Sequence, residues 1–91
     1  MAWGTSSIQT SATGTAYVTA TGYKAAGVTL INNTGTTISV RPVTATNDAV
    51  ALPLLDGASL TIDKLQASTS EIQIKRADDS NTQVTVQLAY W

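Results

Sequence analysis

The chain has no cysteine, no histidine and no phenylalanine, and only 12% of its 91 residues are charged, about half the usual share of roughly 25%. Without cysteine there is no disulfide framework, no thiolate nucleophile and no zinc–thiolate site. Without histidine the side chain best suited to proton transfer near neutral pH is missing, and so is the commonest metal ligand. A basic stripe is also lacking. The five cations, Lys24, Arg41, Lys64, Lys75 and Arg76, are scattered among six acids for a net charge of -1. Nucleic-acid binders draw much of their affinity from phosphate contacts, so no nucleic-acid role is expected. Long hydrophobic runs are absent too. Ala49 to Leu55 is the longest stretch free of polar residues, far short of the roughly 20 needed to cross a bilayer. Met1 to Thr21 carries neither a cation nor an apolar run, so no signal peptide and no membrane association are expected. A chain well under roughly 150 residues predicts one domain.

What the chain has in abundance is small hydroxyl side chains, 16 Thr and 8 Ser. They fall into a period of two with the apolar residues, the pattern of half-buried strands. Ala16, Val18 and Ala20, then Val28 and Leu30, Ile38 and Val40, Leu60 and Ile62, Ile72 and Ile74, and finally Val84, Val86, Leu88 and Tyr90 each mark a core face. Their alternates are mostly Thr, Ser, Gln, Lys and Arg. Branched Thr suits the outer face because its Cβ favours an extended backbone. Turn signals at short intervals separate the runs: Thr21-Gly22, Asn32-Asn33-Thr34-Gly35, Thr46-Asn47-Asp48, Asp56-Gly57, Ala67-Ser68-Thr69-Ser70 and Asp78-Asp79-Ser80-Asn81. Asn32-Asn33-Thr34 also fits a glycosylation pattern but reads as a turn. The last signal predicts a hairpin with a four- or five-residue loop. Pro53 cannot donate to a ladder, so Val50 to Leu55 is expected as an edge or bulged strand. Asp63 to Ser70 has room for one helical turn. The expected fold is all-β, an antiparallel β-sandwich or small jelly roll of about seven short strands. Residues 15–91 form its single domain, and the poorly patterned residues 1–14 are read as an N-terminal arm with freedom to flex.

Few residues offer chemistry. Lys24, Lys64 and Lys75 each have serines to pair with, yet no nucleophile elbow or phosphate loop marks one out. Asp56, Asp63, Glu71, Asp78 and Asp79 lie in turns or on polar faces. An enzyme is therefore not expected, nor a cofactor. Asp78-Asp79-Ser80-Asn81 gathers several oxygens but lacks the glycine and distal Glu of a calcium loop, so no metal is expected either. The aromatic residues say more. Trp3, Tyr17, Tyr90 and Trp91 are candidate interface residues, because Trp and Tyr bury much area at low entropic cost. Two readings stand for the terminal tryptophans: docking on a neighbour, or plugging the end of their own sandwich. A third use, sugar stacking on Trp3, Tyr17, Tyr23 or Trp91, is left without an evident cluster of polar partners.

Gly27-Val28-Thr29-Leu30-Ile31-Asn32-Asn33-Thr34-Gly35, then Leu52-Pro53-Leu54, Asp56-Gly57-Ala58-Ser59-Leu60-Thr61-Ile62 and Val84-Thr85-Val86-Gln87-Leu88 follow one another in order. This series resembles small β-sandwich accessory proteins of tailed bacteriophage virions. The resemblance covers residues 26–90 and rests on strand-and-turn grammar. It implies a non-enzymatic virion component, a capsid decoration or cement protein that stabilises the capsid lattice, made in the host cytoplasm. Its implied partners are the major capsid protein or other virion subunits and further copies of itself, a trimer being favoured. The alternative is a receptor- or glycan-binding module of a fibre or tail. No functional residue carries over, because such proteins act through surfaces.

Overall fold

The computed structural model describes residues 3–91. Among them eight strands form: β1 (Gly4–Gln9), β2 (Val18–Thr19), β3 (Val28–Ile31), β4 (Ile38–Pro42), β5 (Leu52–Leu54), β6 (Ser59–Ile62), β7 (Ile72–Arg76) and β8 (Thr85–Tyr90). They make two four-stranded antiparallel sheets, in the orders β1-β8-β3-β6 and β2-β7-β4-β5. The expected all-β class is observed. Pro53 does lie in an edge strand, since β5 pairs only with β4. A single helical turn does form, but at the end of the expected Asp63 to Ser70 segment and one residue past it, as a 3-10 turn at Thr69–Glu71 that Ser68 and Glu71 close with a capping box.

Two expectations are corrected. Residues 1 and 2 of the expected arm lie outside the described residues, but Gly4–Gln9 is not an arm. It pairs with β8 along its whole length, from Gly4 opposite Tyr90 to Gln9 opposite Thr85. The segment looked unpatterned because only Ile8 supplies a large apolar side chain. The strongly patterned β8 provides the template, and a single buried Ile8 sets the register. The second correction concerns Asp78 to Asn81. These residues do not close a hairpin, because β7 and β8 belong to different sheets. Backbone periodicity cannot distinguish a turn that returns within one sheet from one that crosses to the other.

Crossing is the rule in this chain. Pairing joins β1 to β8, β2 to β7, β3 to β6 and β4 to β5. The chain is thus one long hairpin, with its tip between β4 and β5, wound over two sheets. Among the described residues only that tip connects strands of the same sheet, and the other connections run side by side in pairs. One buried polar side chain fastens each pair. The Thr10 hydroxyl accepts from Val84 N at 2.9 Å, tying the β1–β2 connection to the start of β8. The Thr69 hydroxyl accepts from Tyr23 N at 2.8 Å and donates to Thr21 O at 2.6 Å. The Asn32 amide donates to Thr36 O at 2.7 Å and to Leu54 O at 2.8 Å. Thr10, Asn32 and Thr69 are all buried. A buried polar group without partners is costly, and these three satisfy their neighbours as well as themselves.

Both sheets feed one buried cluster of Ile8, Ala20, Val28, Leu30, Ile38, Val40, Leu54, Ile72, Ile74, Val86 and Leu88. The faces predicted for β3, β4, β7 and β8 are the observed ones. Each large member contributes about 1.5–3 kcal/mol on burial. Ala16 is exposed, in the turn before β2, and Leu60 and Ile62 are only half-buried, because β6 is the last strand of its sheet.

Two carboxylates hold connections rather than sites. The backbone N–H groups of Gln66, Ser68 and Ala67 hold the Glu71 carboxyl below its ordinary 4.5. Arg76 grips Asp78 through Nε at 2.9 Å and Nη2 at 2.7 Å, and with Ser80 N–H brings its pKa down to about 2. Depressed values mean that the folded state binds these protons less readily than the unfolded chain. Their stabilisation is complete above the unfolded values and is lost as pH falls through the folded ones. Urea midpoints are expected to be flat above about pH 5 and to fall toward pH 2. Glu71→Gln is expected to flatten the upper part of that fall, and an unchanged pH profile for the variant refutes the assignment.

Candidate interaction surfaces

Three of the four aromatic candidates meet at one end of the first sheet. Gly4, Tyr90 and Val28 are cross-strand neighbours there. Tyr90 turns toward the core, packs against the buried cluster and stacks on Tyr23 with centroids 4.8 Å apart and planes within 10°. It fits because Gly4 has no side chain: a Cβ there would lie 2.5 Å from Tyr90 Cζ. Trp91 follows on the opposite face. Its backbone pairs with Gly27 at 3.1 and 3.2 Å, and its indole lies flush on that glycine, where a Cβ would come within 2.5 Å of Cε2. Trp3 is 69% exposed. Tyr90 is therefore the plug, Trp91 covers backbone with part of its ring in water, and Trp3 is exposed.

Tyr17 is elsewhere, beside β2 on the second sheet. The Arg41 guanidinium lies 3.7 Å from its ring centroid and Lys75 Nζ 5.8 Å, a cation–π arrangement. Its hydroxyl oxygen is buried with no hydrogen-bond partner among the described residues. Burial first, then the neighbouring Asp48 carboxylate, push its pKa up. Arg41 is also tied to Gln73 at 2.6 Å and Asp48 at 3.2 Å, and buried Lys75 to Asp79 at 2.6 Å. The cations around Tyr17 are thus already engaged, and the cluster braces the sheet. The oxygens of the Asp78–Asn81 turn are engaged likewise: Asn81 Oδ1 accepts from Gly14 N at 2.8 Å and Ser80 Oγ from Thr82 N at 3.1 Å.

Two further surfaces were not singled out from the sequence. The first is a mainly apolar cleft of about 290 Å³ between β6 and the β4–β5 pair, lined by Val40, Val50, Leu52, Leu60, Ile62 and Leu65, with Arg41, Lys64 and Glu71 also on its wall. Among the described residues both strands at its mouth have a free edge, since β6 pairs only with β3 and β5 only with β4. Val50, Leu52 and Leu55 are 53, 54 and 59% exposed. The signal in the sequence was the apolar run around Pro53, but nothing there said which element it would face. The second surface is the outward side of the first sheet. Not one residue of β1, β3, β6 or β8 is charged. Cross-strand rows run Thr5–Ala89–Thr29–Thr61 and Ser7–Gln87–Ile31–Ser59. By contrast β4 and β7 carry Arg41, Lys75 and Arg76.

No helix among the described residues is long and apolar enough to cross a membrane. No protein-family model, no curated protein and no solved structure matches this chain.

Proposed function

We propose that the chain is a non-enzymatic structural protein of a virion, a capsid decoration or cement protein acting in several copies, with a trimer favoured. The observation that carries this reading is the apolar cleft framed by two free strand edges. Interface centres are largely apolar with a polar rim, as this cleft is with Arg41, Lys64 and Glu71 on its wall, and an unpaired edge is a template for a neighbour's strand. A small protein that leaves Leu52 and Leu55 in water beside such edges is suited to assembly. The winding of one long hairpin over two sheets is read as a jelly-roll sandwich, an architecture shared by viral capsid and lectin domains. That part of the argument is analogy of fold. The resemblance of residues 26–90 to phage accessory proteins adds the virion context. The partner is the major capsid protein or another virion subunit.

The test is co-sedimentation with shells assembled from the capsid protein encoded in the same genome, together with the solution mass of the free chain. The chain is expected to pellet with shells and to raise their melting temperature. Free in solution it is expected at about 28 kDa, three times 9.4 kDa. Leu52→Asp, at an exposed position, is expected to keep the fold and lose shell binding. A variant that binds as the parent does, or a parent that never binds, overturns the reading.

A further inference from the structure

We propose that the outward face of the first sheet binds a neutral saccharide, with Trp3 as the stacking platform and Gln87, Ser7 and Thr5 as the hydrogen-bonding groups. These residues line an open concavity of about 720 Å³ together with Ile31 and Ala89. Three observations select this ligand class. First, the strands of this sheet carry no charged side chain, so nothing on them complements a phosphate, a sulfate or a uronic acid. Second, the polar members of the lining, Thr5, Ser7 and Gln87, are hydroxyl and amide, the groups that exchange hydrogen bonds with sugar hydroxyls in either direction. Thr29 and Thr61 bond to each other at 2.8 Å, whereas the side chains of Thr5, Ser7 and Gln87 make no protein hydrogen bond among the described residues and face solvent. Third, an indole 69% exposed stands at the rim. A flat ring of that area in water matches the C–H face of a pyranose, a ligand that is apolar on its faces and polar on its edges.

A protein-docking face fits less well, because the free side chains of Thr5, Ser7 and Gln87 would each have to leave water there and be matched by a partner's polar groups. The groups are also held in place before any ligand arrives. Ser7, Gln87 and Ile31 sit side by side on three paired strands, so little ordering entropy is lost on binding. The site lies on β1, β8 and β3, away from the β5–β6 cleft, and does not depend on the virion reading.

The test begins with the purified full chain on an array of neutral and acidic oligosaccharides, with calorimetry on the best binder. At least one neutral oligosaccharide is expected to bind, with an affinity insensitive to salt because no ion pair contributes. Trp3→Ala is expected to cost at least about 10-fold in affinity and Gln87→Ala a comparable factor, each with the parent's melting temperature, as loss of one well-placed contact predicts. Leu52→Asp is expected to retain saccharide binding, which separates this site from the assembly surface. Absence of any neutral binder, full affinity in Trp3→Ala, or a preference for acidic glycans each overturns the proposal.

Discussion

Replacing Asn32 by alanine is expected to cost roughly 3–4 kcal/mol of stability, more than any exposed substitution in the chain. The residue is 0% exposed and every polar atom of its side chain is engaged. Nδ2 donates to Thr36 O and Leu54 O, and Oδ1 accepts from Thr34 N at 3.0 Å and Thr34 Oγ1 at 2.7 Å. Its backbone completes the clamp, with Asn32 N donating to Ala58 O at 3.0 Å and Gly57 N donating to Asn32 O at 2.7 Å. Alanine removes the side-chain bonds and strands the buried Leu54 carbonyl and the half-buried Thr36 carbonyl, each a penalty of about 1–3 kcal/mol. For a domain of this size the melting temperature is expected to fall by roughly 12 °C or more. Asn32→Asp is expected to be no better, because it keeps the acceptors but loses both donors and places a charge against two carbonyls. Thermal and urea unfolding measure both variants. A loss below about 1 kcal/mol for Asn32→Ala would show that the paired connections do not need their clamp. The same geometry bears on the glycosylation pattern, since the amide nitrogen a glycan would need is buried and bonded.

Gly14→Ala is expected to cost about 3 kcal/mol or more, through space alone. A Cβ at Gly14 would lie 2.1 Å from Asp79 O and 2.3 Å from Ser80 O. Both obstacles are backbone, and they belong to a turn already held by the Arg76–Asp78 and Lys75–Asp79 pairs. Asp79 itself stands at a φ of 58°, so the turn has little freedom to retreat. The two crossing connections would have to part, and Gly14 N would leave Asn81 Oδ1. Gly35 and Gly57 are the contrast. They adopt φ of 84° and 82° with open space around the missing Cβ, so alanine there meets only the left-handed backbone penalty of about 1–2 kcal/mol. Parallel urea titrations of the three variants are expected to rank Gly14→Ala as the most damaging. A Gly14 variant as stable as the other two would mean that the neighbouring turn yields easily.

Much of the fold was legible because alternation is a local property. Val28 and Leu30, Ile38 and Val40, Ile72 and Ile74, and Val86 and Leu88 point where their spacing says, since a strand can bury only every second side chain. The edge position of β5 followed from the missing N–H of Pro53. The first strand was not legible, because Gly4-Thr5-Ser6-Ser7 has almost no apolar content and owes its place to β8. Of the aromatic candidates, three converge as terminal residues brought together by the β1–β8 pairing, while Tyr17 belongs to a cation-braced cluster on the other sheet. The tryptophans stood out as large side chains near the ends. That Trp91 would lie down on the backbone depended on Gly27 beneath its ring, as the inward seat of Tyr90 depended on Gly4.

The period-two alternation of apolar residues with the 24 hydroxyl side chains determined by itself that this is an all-β chain with polar outer strand faces. The tertiary structure decided the rest. It placed every charged side chain off the strands of one sheet, paired the connections around Thr10, Asn32 and Thr69, and left a cleft between β5 and β6. The physical reason is that side-chain alternation is set within each strand, whereas the choice between returning to the same sheet and crossing to the other is set by partners far along the chain. Those partners are backbone carbonyls and amides, which every residue but proline carries alike and which side-chain alternation does not distinguish.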